Sequence, residues 1–364
     1  MTQARKTPPE PYSLRINKLR AEMDRRKLDG YLIQNRLDQY WLTGFTGEDG
    51  AVLVTPRTVV LLTDGRFQDT ADLEAPYARK VVRKKRSPEE TVVELRRGKV
   101  TRLGFDPDHM NVREFTAFRK LASPTRLVAA SDMIAPLRAI KDASEVALLR
   151  QAVRVAEQAF NEVRAWLRPG LSEREIAAEL AYRMRRLGAQ GESFPAIVAV
   201  GSNAAIPHYE PGDRKLAENE LLLVDWGAKV SWYGSDLTRV LWLGTIPPRL
   251  RQVFDIVREA ADRAIDAVKP GIKASAVDRV ARELIRKSGY GKHFTHGLGH
   301  GLGLGGHEGP RFGKRSKDVL KPGMAVTIEP GIYLPGEGGV RIEHDVLVTE
   351  TGHELLSTLP AELA

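Results

Sequence analysis

The chain contains no cysteine in its 364 residues. Disulfides, thiolate zinc sites and cysteine nucleophiles are excluded, and any metal site must be built from His, Asp and Glu. No apolar run approaches the roughly 18 residues of a membrane span. The opening stretch, residues 1–12 (MTQARKTPPEPY), is polar and Pro-rich and holds no apolar signal segment, so a cytoplasmic protein is expected. Also missing are a Gly-x-Ser-x-Gly elbow and a His-Glu-x-x-His pair. A serine hydrolase or a helix-borne zinc protease therefore has no support. Gly301-x-Gly303-x-x-Gly306 fits a dinucleotide fingerprint in letters alone, because Gly309-Pro310 follows it where a helix would be needed.

What is present is ordinary for a globular protein: 42% hydrophobic and 28% charged residues. At roughly 150 residues per domain the length suggests two domains. The first 140 residues carry 26 Lys+Arg against 18 Asp+Glu, a net of +8, which leaves +1 of the total +9 to the rest. The run Arg79–Arg86 (RKVVRKKR) alternates with valines like a strand edge protected by charge. Little aromatic residue is interleaved for base stacking, so neither a nucleic-acid nor a membrane partner is expected.

Residues 1–140 alternate helical and strand patterns. Helices are expected at Ser13–Lys27 with Ser13 as cap, at Thr91–Arg97 and at Arg113–Leu121. Strands are expected at Gly30–Gln34, Gly50–Val54, Thr58–Leu62 and Leu103–Phe105. Trp41–Gly47 reads as a buried turn. Residues 141–364 hold an internal repeat. Glu145–Leu167 and Leu250–Val268 are long helical patterns, each ended by a Pro-Gly break, and the two breaks lie 101 residues apart. A second helix follows each: one opened by the capping box Ser172-x-x-Glu175 and stopped by Gly188, the other spanning about Ser275–Lys287 and stopped by Gly289. Each pair is followed by a histidine-bearing apolar stretch and then by strands that carry acids. Two such copies, folded face to face, make a pseudo-twofold domain with a central cleft.

Asp225 ends the apolar run Leu221–Val224, and Asp236 lies eleven residues on, past a stretch (VSWYG) suited to a hairpin turn. In the second copy Glu329 ends Ala325–Ile328, and Glu343 lies fourteen residues further. Acids inside apolar strands are costly unless paired or metal-bound. Of eight histidines, His296, His300 and His307 fall in one Gly-rich stretch, and His208 ends the matching stretch of the first copy. Four carboxylates and an imidazole form a hard, oxygen-rich set, suited to Mn²⁺, with Co²⁺ or Zn²⁺ as alternatives. Two ions sharing bridging carboxylates would balance that much negative charge.

With these residues in place, the second half resembles the aminopeptidase P, prolidase and methionine aminopeptidase group. The likeness rests on Val224–Gly227, Ser235–Arg239, His296–Pro310, Thr327–Tyr333 (TIEPGIY) and Gly339–Val348. The first half is similar to the N-terminal domain of aminopeptidase P and prolidase through Tyr40–Gly47, Leu62–Phe67 and Arg138–Asp142, a domain that methionine aminopeptidases generally lack. The resemblance implies an α/β domain over 1–140 and an α+β pita-bread catalytic domain over 141–364. It also implies a dinuclear-metal Xaa-Pro aminopeptidase that attacks with a metal-bound hydroxide. Prolidase restricted to dipeptides is the alternative, and a metal-free creatinase-like hydrolase or a binding protein on the same fold are the remaining readings. By the same likeness Asp225 holds one ion, Asp236 and Glu343 bridge, and His300 and Glu329 hold the other. Glu329 also handles the proton of the attacking water, His208 and His307 line the cleft, and His296 and Arg341 orient ligands. Gly305-Gly306, where relatives often have Asp-Val, is expected to loosen a support near His307. A cytoplasmic homodimer acting on proline-containing peptides is expected.

Overall fold

Two units, Met1–Arg138 and Ala139–Ala364, make up the computed structural model, which describes residues 8–83 and 88–361. In the first unit, aliphatic runs with little alternation form a mixed sheet of six strands. Its spatial order is Arg79–Arg83, Val59–Asp64, Gly50–Val54, Gly30–Ile33, Arg102–Phe105 and Arg126–Ala129. The three middle strands are joined antiparallel, and the outer pairings are parallel. The basic run forms the edge strand as its charge pattern suggests, with Lys84–Arg86 outside the described residues.

Helices occur at Glu89–Arg97 and Val112–Ala122, within a residue or two of the expected bounds. Two expectations need correction. The first helix runs Tyr12–Arg25, and its cap position is Pro11 with no side-chain cap, so Ser13 lies inside it. Trp41–Thr43 are not turn but the end of a helix, Arg36–Thr43. That helix is started by Asn35, whose side chain accepts from the Leu37 and Asp38 N–H groups, and it is ended by Gly44 at φ +77°. The aromatic cluster had concealed the Asn cap and the Gly stop.

The second unit shows the repeat directly. Helices Ala143–Trp166 and Glu173–Arg186 form one pair, and Pro248–Asp266 and Ala274–Lys287 form the other. Between the members of each pair the chain turns at a glycine of positive φ, Gly170 in one copy and Gly271 in the other. Their N–H groups donate to the Leu216 and Leu320 carbonyls at 2.8 and 2.9 Å. Strand Ile197–Val200 pairs with Glu220–Trp226, which pairs with Leu237–Leu243. The second copy repeats this order with Gly299–Gly301, Ala325–Ile328 and His344–Val348. The copies join through a bridge between Thr238 and Glu343, in which the Glu343 N–H donates to the Thr238 carbonyl at 3.2 Å.

Period-two alternation decides where the acids go. Leu222, Val224 and Trp226 face the core of the first helix pair, where Trp226 stacks on Phe160 at 4.2 Å. Asp225 therefore faces the other way, with Leu221 and Leu223. In the second copy Val326, Ile328, Ile342 and Val346 face a second core, which turns Thr327, Glu329, Glu343 and Asp345 to the opposite side. Asp225 and Asp236 are joined by a hairpin whose central residues, Ser231 and Trp232, both have positive φ. Among the described residues no helix is long and apolar enough to cross a membrane.

The copies differ at one helix start. Ser172 closes a reciprocal capping box with Glu175, whereas Ala274–Lys287 begins at Lys273 with no side-chain cap, so Ser275 is not a cap. Ser172→Ala should lower unfolding free energy by about 1 kcal/mol. Ser275→Ala should change it by less than about 0.5 kcal/mol. Urea denaturation of the two variants checks the difference.

Candidate metal centre

Strand register brings the four acids together. Asp225 pairs across the sheet with Thr238, so Asp236 at the start of the neighbouring strand lies beside it. The Thr238 hydroxyl donates to Glu343 Oε2 at 2.7 Å and accepts from Arg341 Nε at 3.1 Å. Arg341 also donates to Asp225 Oδ2 at 2.5 Å and to the Tyr333 hydroxyl at 2.8 Å. One buried guanidinium thus orients acids from both copies, in fixed fork geometry. The Asp236 N–H donates to Asp345 Oδ2 at 3.1 Å, and Arg239 donates to the Glu343 and Thr238 carbonyls at 2.7 and 2.9 Å.

His300 enters from strand Gly299–Gly301. Glycine on either side is required, because a Cβ at 299 would lie 2.1 Å from the Thr327 carbonyl oxygen, and one at 301 would lie 2.0 Å from that of Gly309. His300 Nδ1 lies 3.0 Å from the Gly301 carbonyl oxygen, which leaves Nε2 aimed at the acids, 3.5 Å from Asp236 Oδ2 and 3.7 Å from Glu329 Oε1. His307 packs edge-on against His300, ring centroids 4.2 Å apart. His296 Nε2 lies 2.9 Å from the Tyr333 hydroxyl, and its Nδ1 lies 4.0 Å from Glu329. His208 is exposed and near enough to act electrostatically on Asp225 and His307.

Burial, followed by the neighbouring carboxylates, pushes Asp236 and Glu329 well above the usual acid range. Glu343 is pushed up to about 8 by burial and then by Asp225. Asp225 is also raised by burial, against the pull of Arg341. Burial lowers His296 and His300 to about 4. Burial is the first cause of every one of these shifts, so the acids ionise readily here only beside a positive charge. A divalent cation supplies it, and it takes carboxylates ionised and imidazole neutral. The donor atoms fit such an ion. One ligand atom each from Asp236, His300 and Glu343 lie within 4.8 Å of one another. Asp225 Oδ1 is buried without a hydrogen-bond partner, a lone pair aimed at nothing else in the protein.

The structure therefore gathers Asp225, Asp236, His300, Glu329 and Glu343, with Arg341, His296 and His307 against them and His208 at the rim. Four contributors were not singled out from the sequence: Thr238, Tyr333, Asp345 and Arg239. All lie inside segments already noted, but a hydroxyl or a second acid in an apolar strand carries no spacing signal. The loosened support expected at Gly305-Gly306 is not seen. The Gly305 N–H donates to Glu308 Oε1 at 2.8 Å, so a side chain three residues further on holds the loop.

The family description for metallopeptidase family M24 matches residues 147–350, and that for the creatinase/prolidase N-terminal domain matches 15–140. A protein from Pyrococcus furiosus named Xaa-Pro dipeptidase is 33% identical over 355 residues, 96% of this chain and 99% of its own. The solved Xaa-Pro dipeptidase from Bacillus anthracis aligns with a TM-score of 0.93 at 35% identity, covering 97% of this chain and 99% of the other. The X-Pro aminopeptidase from Thermotoga maritima MSB8 aligns with a TM-score of 0.89 at 34% identity, covering 94% and 99%. Its duplicated strands, its cluster of buried acids and these matches over nearly its whole length make the chain a member of metallopeptidase family M24, a pita-bread enzyme preceded by a creatinase/prolidase N-terminal domain.

Proposed function

We propose that the protein is an Xaa-Pro aminopeptidase, hydrolysing the bond between an N-terminal residue and a following proline. The observation that carries this reading is the convergence of Asp236, His300 and Glu343 beside Asp225 and Glu329, in a chain of a metallopeptidase family. In this reading Asp225, Asp236, His300, Glu329 and Glu343 hold two divalent ions. The hard donor set favours Mn²⁺, with Co²⁺ or Zn²⁺ as alternatives. When bound, the ions polarise the peptide carbonyl and make water acidic enough to attack near neutral pH. We place the enzyme in the cytoplasm as a homodimer, with the domain division at 140/141.

The remaining work falls to side chains. Glu329 accepts the proton of the attacking water and returns it to the proline nitrogen, which cannot leave as an anion. His307 and His208 donate to the oxygen of the tetrahedral intermediate. Arg341 fixes Asp225 directly and Glu343 through Thr238, and Tyr333 joins Arg341 to His296. Orientation of this kind is what holds ligands at working distances.

A second reading, Xaa-Pro dipeptidase, is favoured by the name of the Bacillus anthracis protein, as similar to this chain as the Thermotoga maritima aminopeptidase. One local feature favours longer substrates. Strands Gly331–Leu334 and Gly338–Arg341 are joined by only Pro335-Gly336-Glu337, with Gly336 at φ +81°. So short a connection brings no arginine to clamp a dipeptide's free carboxylate. Arg311, exposed on strand Glu308–Phe312, is the alternative clamp.

Three outcomes are expected. Asp236→Ala or Glu343→Ala should abolish Xaa-Pro cleavage and lower bound metal, measured by elemental analysis beside turnover; two ions and normal rates in either variant would refute the bridging roles. His307→Ala should lose activity but keep its ions, whereas His300→Ala should lose metal; equal metal loss in both would mean the two histidines have been confused. With Mn²⁺ added, kcat/KM should be at least as high for Ala-Pro-Ala as for Ala-Pro. A strong preference for the dipeptide would make prolidase the right name.

A further inference from the structure

The buried ammonium of Lys141 has no place in the chemistry above. It lies where the chain enters the catalytic unit, tied down by the Ile140–Met324 bridge and by its own N–H donating to the Gly323 carbonyl at 2.8 Å. Its side chain is 1% exposed, and Nζ donates to Glu308 Oε2 at 3.2 Å, the one side-chain partner it has among the described residues. Ammonium groups are seldom buried this fully, and a charge in that position requires its counter-ion.

Glu308 directly follows His307. Its other oxygen, Oε1, accepts the Gly305 N–H at 2.8 Å. The carboxylate also lies against Gly303, where a Cβ would come within 2.8 Å of Oε2. It therefore fills the inside of the turn that carries the chain from His300 back to His307. That turn holds Gly303, Gly305 and Gly306, residues that impose little conformation of their own. Its base is irregular as well, because the pairing of Gly299–Gly301 with Glu308–Phe312 shifts register between His300 and Gly301. The Gly303 carbonyl accepts the Gly234 N–H at 2.9 Å, Leu304 is buried, and the carboxylate supplies a further fixed point, the one that borders His307.

We infer that Lys141 is a positioning residue for the cleft histidine: by neutralising Glu308 inside the Gly303–His307 turn, it keeps His307 seated on His300. The inference rests on the proposed role of His307. It explains why a turn so rich in glycine can still hold an imidazole in one place. A lysine fixed at the entry of the catalytic unit acts on the cleft through a single carboxylate.

The test compares Lys141→Met, Glu308→Gln and the double variant, each loaded with Zn²⁺ and labelled with ¹⁵N-histidine. The His307 resonance is assigned by its loss in His307→Gln. Each single variant should shift or split the His307 signal, leave that of His353 in place, and keep both ions. With Ala-Pro-Ala, kcat should fall about 10–100-fold, with KM changed much less. The double variant should be no worse than the worse single, since both then disturb the same contact. Where a single variant does not fold, the double variant, which buries no charge, decides alone. An unmoved His307 signal, or full turnover per folded molecule with only a lower melting temperature, would overturn the inference. Wild-type failure to cleave Ala-Pro-Ala would refute the Xaa-Pro reading instead, and the resonance would still decide the role of Lys141.

Discussion

Everything in the catalytic unit is organised by the mutual repulsion of carboxylates removed from water. Asp225, Asp236, Glu329 and Glu343 come from two copies of one motif, and none is fully relieved by a protein cation. Arg341 partly offsets Asp225 and, through the Thr238 hydroxyl, orients Glu343. It also acts on Glu329, but burial and the neighbouring carboxylates still hold Glu329 and Asp236 well above the usual acid range. A buried charged group deprived of a partner costs several kcal/mol, so acids placed this way call for a cation beside them. Burial holds His296 and His300 neutral, the form in which an imidazole binds metal.

Glycine and Thr238 set the distances over which that balance works. Gly299 and Gly301 let two strands approach closely enough to present His300, and Thr238 is at once the cross-strand partner of Asp225 and the bridge to Glu343. Arg239 reinforces the joint from behind, donating to the Glu343 carbonyl and to those of Leu359 and Pro360 near the end of the described chain. The acids can thus be held rigidly although they arise from sheets that share no continuous ladder.

The duplication was legible because Pro-Gly breaks, helix stops and acids recur at matched intervals. Asp or Glu closing an apolar run is a strong signal, since burial makes it costly without a reason. The capping box at Ser172 was readable for the same kind of reason, a local pattern with one structural outcome. What escaped notice was structure whose meaning depends on distant partners. Thr238 and Tyr333 are ordinary residues until Arg341 reaches both, Tyr333 on the paired neighbouring strand and Thr238 in the other copy. Asp345 becomes a hydrogen-bond acceptor for the Asp236 N–H only through tertiary contact. The helix Arg36–Thr43 was hidden because Trp41, Gly44, Phe45 and Gly47 read together as a turn and outweighed a single Asn cap.

The two copies of the duplicated motif share a core: the one around Phe254 and Ile328 also takes in Leu221, Leu223 and Val240 of the first copy, whereas the one around Phe160 and Trp226 is drawn almost wholly from the first. Neither copy alone carries the whole donor set. Asp225 and Asp236 belong to the first, and His300, Glu329 and Glu343 to the second. A half-length chain would therefore leave a core incomplete as well as these residues divided, and pairing two copies would complete both. Within one chain the two halves are free to differ, and of the two only the second carries the Gly-flanked imidazole of His300.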